Sequence, residues 1–115
     1  AVEAKDKPTH HGEMQFIFEG CYTTVSEIKS GNRNNDNMLY SNEFFNTLRW
    51  LKGDNYPAEE IRDLWITQTF NQFHDILPGS AINEANKEAV ARYMENLRKS
   101  TELRDNAFRT TCGSI

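Results

Sequence analysis

The amino-acid sequence predicts an all-α fold, an antiparallel three-helix bundle with a short extended N-terminal segment. Three stretches place apolar residues at steps of three and four, which is the spacing of an amphipathic helix. The strongest helix-breaking residues separate these stretches, at 53–57 and at Pro78-Gly79. Because the connections are short, we expect consecutive helices to run in opposite directions, up, down and up.

The first predicted helix runs from about Thr24 to Lys52. Thr23 or Thr24 caps it in this interpretation, and Glu27 stands at capping-box spacing from Thr24. Gly53 suits the position just past the helix end, because glycine tolerates a positive φ.

The second predicted helix starts at Pro57, the favoured first helical position. It must end by Leu77, because Pro78 disfavours the helical conformation in the residue before it. The third predicted helix is capped by Ser80 and runs to about Phe108.

The inner faces of these helices follow from the same periodicity. Asn32 and Asn35 fall on the apolar stripe of the first helix, which predicts a polar contact rather than a core position for them. Trp50 fits a core position, and Ile82 begins the inner stripe of the third helix. The residues expected to be mostly buried are Leu39, Phe45, Leu64, Trp65, Phe70, Tyr93 and Leu97.

The chain divides into a charged tail or linker at 1–13, a domain at 14–112 and a short tail at 113–115. Within the domain, the stretch 14–23 is aromatic, rich in β-prone residues and interrupted by Gly20. This composition predicts a short extended segment or a packed loop ahead of the first helix.

Composition excludes several functional classes. The chain has 13 Lys and Arg against 17 Asp and Glu, a net charge of −4, so it lacks the basic stripe of a nucleic-acid-binding domain. No apolar run approaches the roughly 18 residues of a membrane span. The two cysteines, Cys21 and Cys112, are interpreted as buried or free thiols of a reducing compartment, which predicts a cytoplasmic protein without nucleic-acid or membrane partners.

Candidate chemistry is concentrated in the run 71–80. His74 and Asp75 stand there at the C-terminal end of the second helix, facing a Pro-Gly turn. A neutral imidazole can bind zinc, and a carboxylate can accept hydrogen bonds from hydroxyl groups. Taken alone, such a pair more often has a structural role, with His74 donating to a nearby carbonyl and Asp75 capping Ser80. A zinc site also needs three or more protein ligands, and this cluster offers one or two.

The remaining candidates are weaker. His10 and His11 lie in the polar tail without a third ligand in register, so we expect them to be solvated. The aromatic residues Phe16, Phe18 and Tyr22 are expected to pack in the core, although a bend at Gly20 would allow one of them to line a pocket.

The first half of the chain resembles a known enzyme family. Residues 12–24, which include Ile-Phe-Glu-Gly-Cys-Tyr-Thr-Thr, resemble the segment that opens the middle domain of family 38 α-mannosidases. Ile28-Lys29 and Asn32-Arg33 resemble a motif of the long helix that follows it in that family.

A longer match lies in the second half. Leu64-Trp65 and the run 71–82, Asn-Gln-Phe-His-Asp-Ile-Leu-Pro-Gly-Ser-Ala-Ile, resemble the family's most distinctive segment closely and at the expected distance. The resemblance covers about residues 12–112, which corresponds to the three-helix middle domain.

The resemblance implies a retaining, zinc-dependent exo-α-mannosidase that hydrolyses terminal α-mannosides. By the match, His74 is a zinc ligand, Asp75 hydrogen-bonds the mannose hydroxyls, and Phe18 falls where some members carry an aromatic residue that lines the sugar pocket. The other zinc ligands and the nucleophile would come from an N-terminal catalytic domain, and a C-terminal β domain would complete the protein. Alone, the chain is expected neither to hydrolyse mannosides nor to retain zinc. The alternative is a free-standing helical interaction module whose apolar face docks on a partner.

Overall fold

Helices account for nearly all of the regular structure in the computed structural model, which describes residues 9–12 and 19–113. They are α1 (Glu19–Thr23), α2 (Ser26–Leu51), α3 (Ala58–Asn71) and α4 (Asn83–Cys112). Across these described residues no strand forms, so the all-α prediction is confirmed. The predicted first and third helices, α2 and α4, are the longest, with 26 and 30 residues against 14 for α3.

Hydrogen bonds between α2 and α4 show that the two helices run in the same direction. Asn35 Nδ2 donates to Tyr93 O at 3.0 Å, and one heptad further along both helices Asn42 Nδ2 donates to Ser100 O at 2.5 Å. Near the far end, Lys52 Nζ donates to Thr111 O at 2.6 Å. The register between α2 and α4 is therefore constant from one end to the other.

Helix α3 runs in the opposite direction between them. Asn71 Nδ2 donates to Ala89 O at 3.4 Å, whereas Asn96 Nδ2, further along α4, donates to Leu64 O, earlier in α3, at 3.2 Å. This register is compatible with the predicted up-down-up order. Because α3 is about half as long as α4, the far ends of α2 and α4 pack directly on each other, and the Phe45 and Phe108 rings meet there at 5.2 Å.

The interior of the bundle is unusually polar. Among the described residues, the buried apolar ones are Ile28, Leu39, Ile61, Leu64, Ala89, Tyr93 and Ala107. The buried polar ones are Asn35, Asn42, Asn46, Gln68, Asn71, Asn86, Asn96, Ser100 and Thr111. Many of these positions are spaced by seven, as in helices that pack side by side along a seam. Amides thus occupy places that aliphatic side chains normally fill.

The amide of Asn35 is a buried side chain whose nitrogen and oxygen are both hydrogen-bonded. Its Nδ2 donates to Tyr93 O and to Gly31 O, and its Oδ1 accepts from Asn96 Nδ2 at 3.0 Å. Asn32 also joins polar partners on α3 and α4, so the predicted polar contacts at Asn32 and Asn35 are confirmed. The prediction that they lie outside the core is wrong for Asn35, which is fully buried. A buried amide whose nitrogen and oxygen are both hydrogen-bonded stabilises the helix register in which these bonds form.

The N-terminal predictions need correction. Residues 19–23 form the short helix α1 and are not extended, while 13–18 lie outside the described residues. Helix α2 begins at Ser26, and its N-cap is Val25 with φ 49°, without a side-chain cap, so the predicted threonine cap with Glu27 is wrong. The physical reason is that Thr24 N bonds to Gly20 O and closes α1, and the chain then reverses at Val25, whose side chain packs on the core.

The starts of the other helices also differ from the prediction. Helix α3 begins at Ala58, with Pro57 as its N-cap. Helix α4 begins at Asn83 after the N-cap Ile82, so Ser80 does not cap it. The amide of Asn86 instead donates to the carbonyls of Gly79 and Ala81 and holds the chain that enters α4.

Burial follows the prediction only in part. Leu39, Leu64 and Tyr93 are buried, and Phe45, Trp65 and Leu97 are half-buried, but Phe70, Trp50 and Ile82 are exposed. On α3 the inward positions belong to Ile61, Leu64, Gln68 and Asn71, which turns Phe70 toward the surface. Hydrophobicity alone ranks phenylalanine above glutamine, whereas here the hydrogen bonds of the amides decide which face is buried.

Asn35→Ala tests the importance of the buried amides. We expect the free energy of unfolding to fall by about 1–3 kcal/mol, because the change removes hydrogen bonds to Tyr93 and Asn96 and leaves buried partners unpaired. The control, Asn34→Ala, alters the adjacent exposed asparagine and is expected to change stability by less than about 0.5 kcal/mol. Equal losses in urea denaturation of the two variants would contradict this account.

Tyr93 predicts a pH dependence of stability. Burial, reinforced by the charge of Asp36, raises the pKa of Tyr93 from 10.0 to about 12. The folded chain thus keeps this proton at pH values where the unfolded chain loses it, so the free energy of unfolding falls as pH rises through this range, by about 1–2 kcal/mol. Tyr93→Phe is expected to reduce that fall in denaturant titrations, and Tyr40→Phe, at an exposed tyrosine, to preserve it. The same slope in Tyr93→Phe as in the unaltered chain would refute the assignment.

Candidate functional site

The turn between α3 and α4 presents His74 and Asp75 to solvent. Their side chains are 80% and 64% exposed, and His74 Nε2 lies 3.7 Å from Asp75 Oδ2. That distance is longer than a hydrogen bond, so the imidazole and the carboxylate lie side by side without a hydrogen bond between them. The His74 ring also rests against the Phe73 ring, with 4.2 Å between the centroids.

The base of this turn is held firmly, in contrast to its exposed tip. Within the turn, Leu77 N donates to Phe73 O at 3.0 Å and Gly79 N donates to Ile76 O at 2.9 Å. The side chains of Ile76 and Leu77 pack against the core cluster of α2 and α4. Two consecutive exposed functional groups therefore stand on a buried, hydrogen-bonded support.

Gly79 adapts the turn to the helix below it. Its φ is +73°, and a Cβ there would lie 2.9 Å from Thr24 O and 3.1 Å from Val25 Cγ2. Both the backbone conformation and the close approach require glycine. The Pro-Gly pair thus seats the turn directly on the start of α2.

The structural roles considered for the His-Asp pair are not seen. In the part of the chain that the structure describes, the His74 ring donates to no carbonyl, and the Asp75 carboxylate does not cap Ser80. The same residues hold no group of three or more His, Cys, Asp or Glu side chains that could bind a metal ion. His10 and His11 are exposed in the tail. An exposed imidazole without a competing hydrogen bond fits the requirements of a single zinc ligand, and the described residues offer no complete set.

A hub of amides lies beside the turn, and sequence reasoning predicted the polar contact of Asn32 in it but not its glutamine partners. Asn32 Oδ1 accepts from Gln68 Nε2 at 2.8 Å and from Gln72 Nε2 at 3.0 Å. Gln68 Nε2 also lies 2.6 Å from Asp36 Oδ1. The sequence signal was the pair of glutamines four residues apart near the end of α3, which places both side chains on one face. This hub connects the last turn of α3 to the middle of α2.

An open groove of about 730 Å³ borders the turn and the hub. Its walls combine cationic, anionic and amide groups with a tyrosine and two apolar turn residues. They are Cys21, Lys29, Asn32, Arg33, Asp36, Asn37, Tyr40, Leu77 and Pro78.

The structure describes only some of the other sequence candidates. Phe18 and Phe16 lie outside the described residues, and the side chain of Tyr22 is likewise not described. Trp65 is half-buried and donates through Nε1 to Glu43 Oε1 at 2.9 Å, which is a structural contact.

Cys21 and Cys112 are both free and exposed, so the expectation of free thiols is confirmed and that of buried ones is wrong.

The helices over residues 9–12 and 19–113 include none long and apolar enough to cross a membrane.

Comparison with known proteins identifies related sequences. A family model described as the alpha mannosidase middle domain matches residues 17–110. The chain is 36% identical over 84 residues to Alpha-mannosidase 2C1 of Homo sapiens, a match that covers 71% of this chain and 8% of that protein. It is 32% identical over 108 residues to Alpha-mannosidase of Saccharomyces cerevisiae, which covers 90% of this chain and 10% of the yeast protein. No solved structure matches it significantly.

The family match spans most of the described structure. The matched region includes α2, α3, the His74-Asp75 turn and nearly all of α4. The chain spans about a tenth or less of the length of the relatives that it matches. On the extent of the family match, together with the identity to two named α-mannosidases, the chain belongs to the α-mannosidase middle-domain family.

Proposed function

We propose that this chain is the middle domain of a retaining, zinc-dependent α-mannosidase, to which it contributes His74 as a zinc ligand and Asp75 as a carboxylate that binds the mannoside. The observation that carries the proposal is the pair of adjacent, exposed side chains, His74 and Asp75, on a turn whose base is buried. The α-mannosidases that the chain resembles support the choice of substrate class.

His74 is suited to hold one corner of a metal site. In its neutral form the imidazole offers a ring nitrogen to a metal ion. The Phe73 ring packs against it and restricts its orientations, so that less side-chain entropy is lost on binding. When bound, zinc would hold sugar hydroxyls and stabilise charge that develops on the reacting sugar. The other ligands would come from a domain outside this chain, because the described residues hold no complete set.

Asp75 is suited to recognise the sugar itself. An ionised carboxylate accepts hydrogen bonds from two hydroxyl groups at once, and such charge-assisted bonds contribute about 1.5–3 kcal/mol each. Because Asp75 follows His74 directly, a sugar held at the metal would present its hydroxyls to this carboxylate. The two residues therefore bind and orient the substrate and do not transfer protons to it.

The bond-breaking groups lie outside this chain in the proposal. A retaining glycosidase needs two carboxyl groups about 5–5.5 Å apart, a nucleophile and an acid/base. At the exposed tip of the turn Asp75 lies beside His74, and it is assigned to binding. The partners are consequently the catalytic and C-terminal domains of a longer protein and an α-mannoside substrate. The free thiols of Cys21 and Cys112 favour a reducing compartment, such as the cytoplasm.

A free-standing helical interaction module is the alternative function. The observation that favours it is the exposure of large apolar side chains such as Phe70, Ile82 and Met94, which are 56%, 71% and 69% exposed. In a multidomain mannosidase the same side chains are suited to contact neighbouring domains. The mutations below distinguish these two functions.

The isolated chain is expected to bind zinc only weakly, because metal affinity rises with the number of ligands and His74 is a single donor. Calorimetric titration with zinc at neutral pH should detect no submicromolar site. A tight site that His74→Ala removes would show that this chain supplies further ligands and would contradict the proposed division of the metal site between domains.

In the full-length protein, His74→Ala is expected to reduce α-mannosidase activity severely and to lower the zinc content, while the fold of this domain stays nearly intact because the side chain lies outside its core. Activity on an aryl α-mannoside and metal analysis measure the two effects. His11→Ala, at an exposed tail histidine, is the matched control. Normal zinc and activity in His74→Ala would favour the interaction module.

Asp75→Asn in the full-length protein is expected to keep its zinc but to lose activity by about ten- to a hundredfold, because the shape remains and the charge-assisted hydrogen bonds weaken. Asp63→Asn, at an exposed aspartate of α3, controls for the loss of one negative charge and should retain full activity. Equal activity in the two variants would exclude a role for Asp75 in substrate binding.

A further inference from the structure

The motif at the start of α2, Ile28-Lys29 with Asn32, holds both ends of the turn that carries His74 and Asp75. We propose that Lys29 and Asn32 are positioning residues, which set the placement of His74 and Asp75 without touching the metal or the sugar. The proposal rests on the function proposed above, and it gives a role to side chains that this function leaves unused.

Lys29 acts on the segment that leaves the turn. Its side chain is half-buried, and Nζ donates to Pro78 O at 2.9 Å and also to Thr24 O. Thr24 O is the atom against which Gly79 packs, since a Cβ on Gly79 would lie 2.9 Å from it. One ammonium group therefore joins the backbone before α2 to the backbone of the Pro-Gly pair.

Asn32 acts on the segment that enters the turn. Its Oδ1 accepts from Nε2 of Gln72, the C-cap residue of α3 two positions before His74, at 3.0 Å. The same oxygen accepts from Gln68 Nε2 at 2.8 Å and lies 3.4 Å from Tyr93 Oη. Asn32 thereby fixes the end of α3 relative to α2 and α4.

The contacts of Lys29 and Asn32 fix the position of the turn on the bundle, which the hydrogen bonds inside the turn do not. The internal bonds, such as Ile76 N to Phe73 O, fix the shape of the turn but not its position on the bundle. Lys29 and Asn32 lie one helical turn apart on α2 and secure the turn on opposite sides of His74. A metal ligand must be held to within about 0.5 Å, so small displacements of this support affect metal geometry.

The test uses the full-length enzyme with its zinc replaced by Co²⁺, whose visible spectrum reports ligand geometry. Lys29→Met keeps the aliphatic stem and removes the donor, and Gln72→Ala removes the Asn32 contact at an exposed side chain that does not disturb the core. Each is expected to lower kcat or zinc affinity by about ten- to a hundredfold and to change the cobalt spectrum. Lys29→Arg, which restores donors, should recover most of the activity, and Lys87→Met is the control at an exposed lysine.

The outcomes separate this inference from the proposed function. If Lys29→Met and Gln72→Ala lower only the unfolding temperature, with kcat, zinc affinity and the cobalt spectrum unchanged, the two contacts are merely structural and the inference is wrong. If Lys29→Met does not fold, Gln72→Ala decides by the same readouts. Loss of zinc in His74→Ala alongside normal Gln72→Ala and Lys29→Met would overturn the inference alone, whereas normal zinc in His74→Ala overturns the proposed function itself.

Discussion

The bundle depends on buried side-chain amides, several of which bond to a partner on a neighbouring helix. Asn35 and Asn42 bond to carbonyls of α4 at two successive heptads, and Asn96 bonds from α4 to α3. A seam of aliphatic side chains tolerates small slips along the helix axis, because hydrophobic contact has no direction. A slipped amide leaves buried donors and acceptors without partners, at a cost of about 1–3 kcal/mol each. The register of the three long helices is therefore set by hydrogen-bond geometry more than by apolar contact.

The same kind of contact extends from the core to the exposed turn. Gln68 is buried and bonds to Asn32, and the exposed Gln72 one helical turn later bonds to the same oxygen. Tyr93 belongs to the apolar cluster beneath Ile76 and Leu77, and its Oη lies 3.4 Å from Asn32 Oδ1 in this hub. The interior of the bundle and the His74-Asp75 turn are thus joined by one continuous set of contacts. The position of the turn therefore depends on the register of the helices.

Local patterns explain what was predictable from the amino-acid sequence. The breaks at Gly53 and Pro78-Gly79 and the periodicity between them are local, and they locate the three long helices correctly. His74 and Asp75 are adjacent in the chain, so their proximity needed no tertiary information. The cap at Val25 escaped prediction because a β-branched residue in the left-handed region is held there by packing on distant residues. The contact of Lys29 with Pro78 joins residues 49 positions apart, and it exists only once α3 has folded back along α2.

The polar interior also affects how stability varies with temperature. Exposure of apolar surface raises the heat capacity on unfolding, whereas exposure of polar surface lowers it. In the described part of the chain, buried polar residues outnumber buried apolar ones. The heat-capacity change per residue is consequently smaller than for a bundle of the same length with an aliphatic core. Its free energy of unfolding has a flatter dependence on temperature, so cooling weakens this domain less than it weakens an aliphatic bundle.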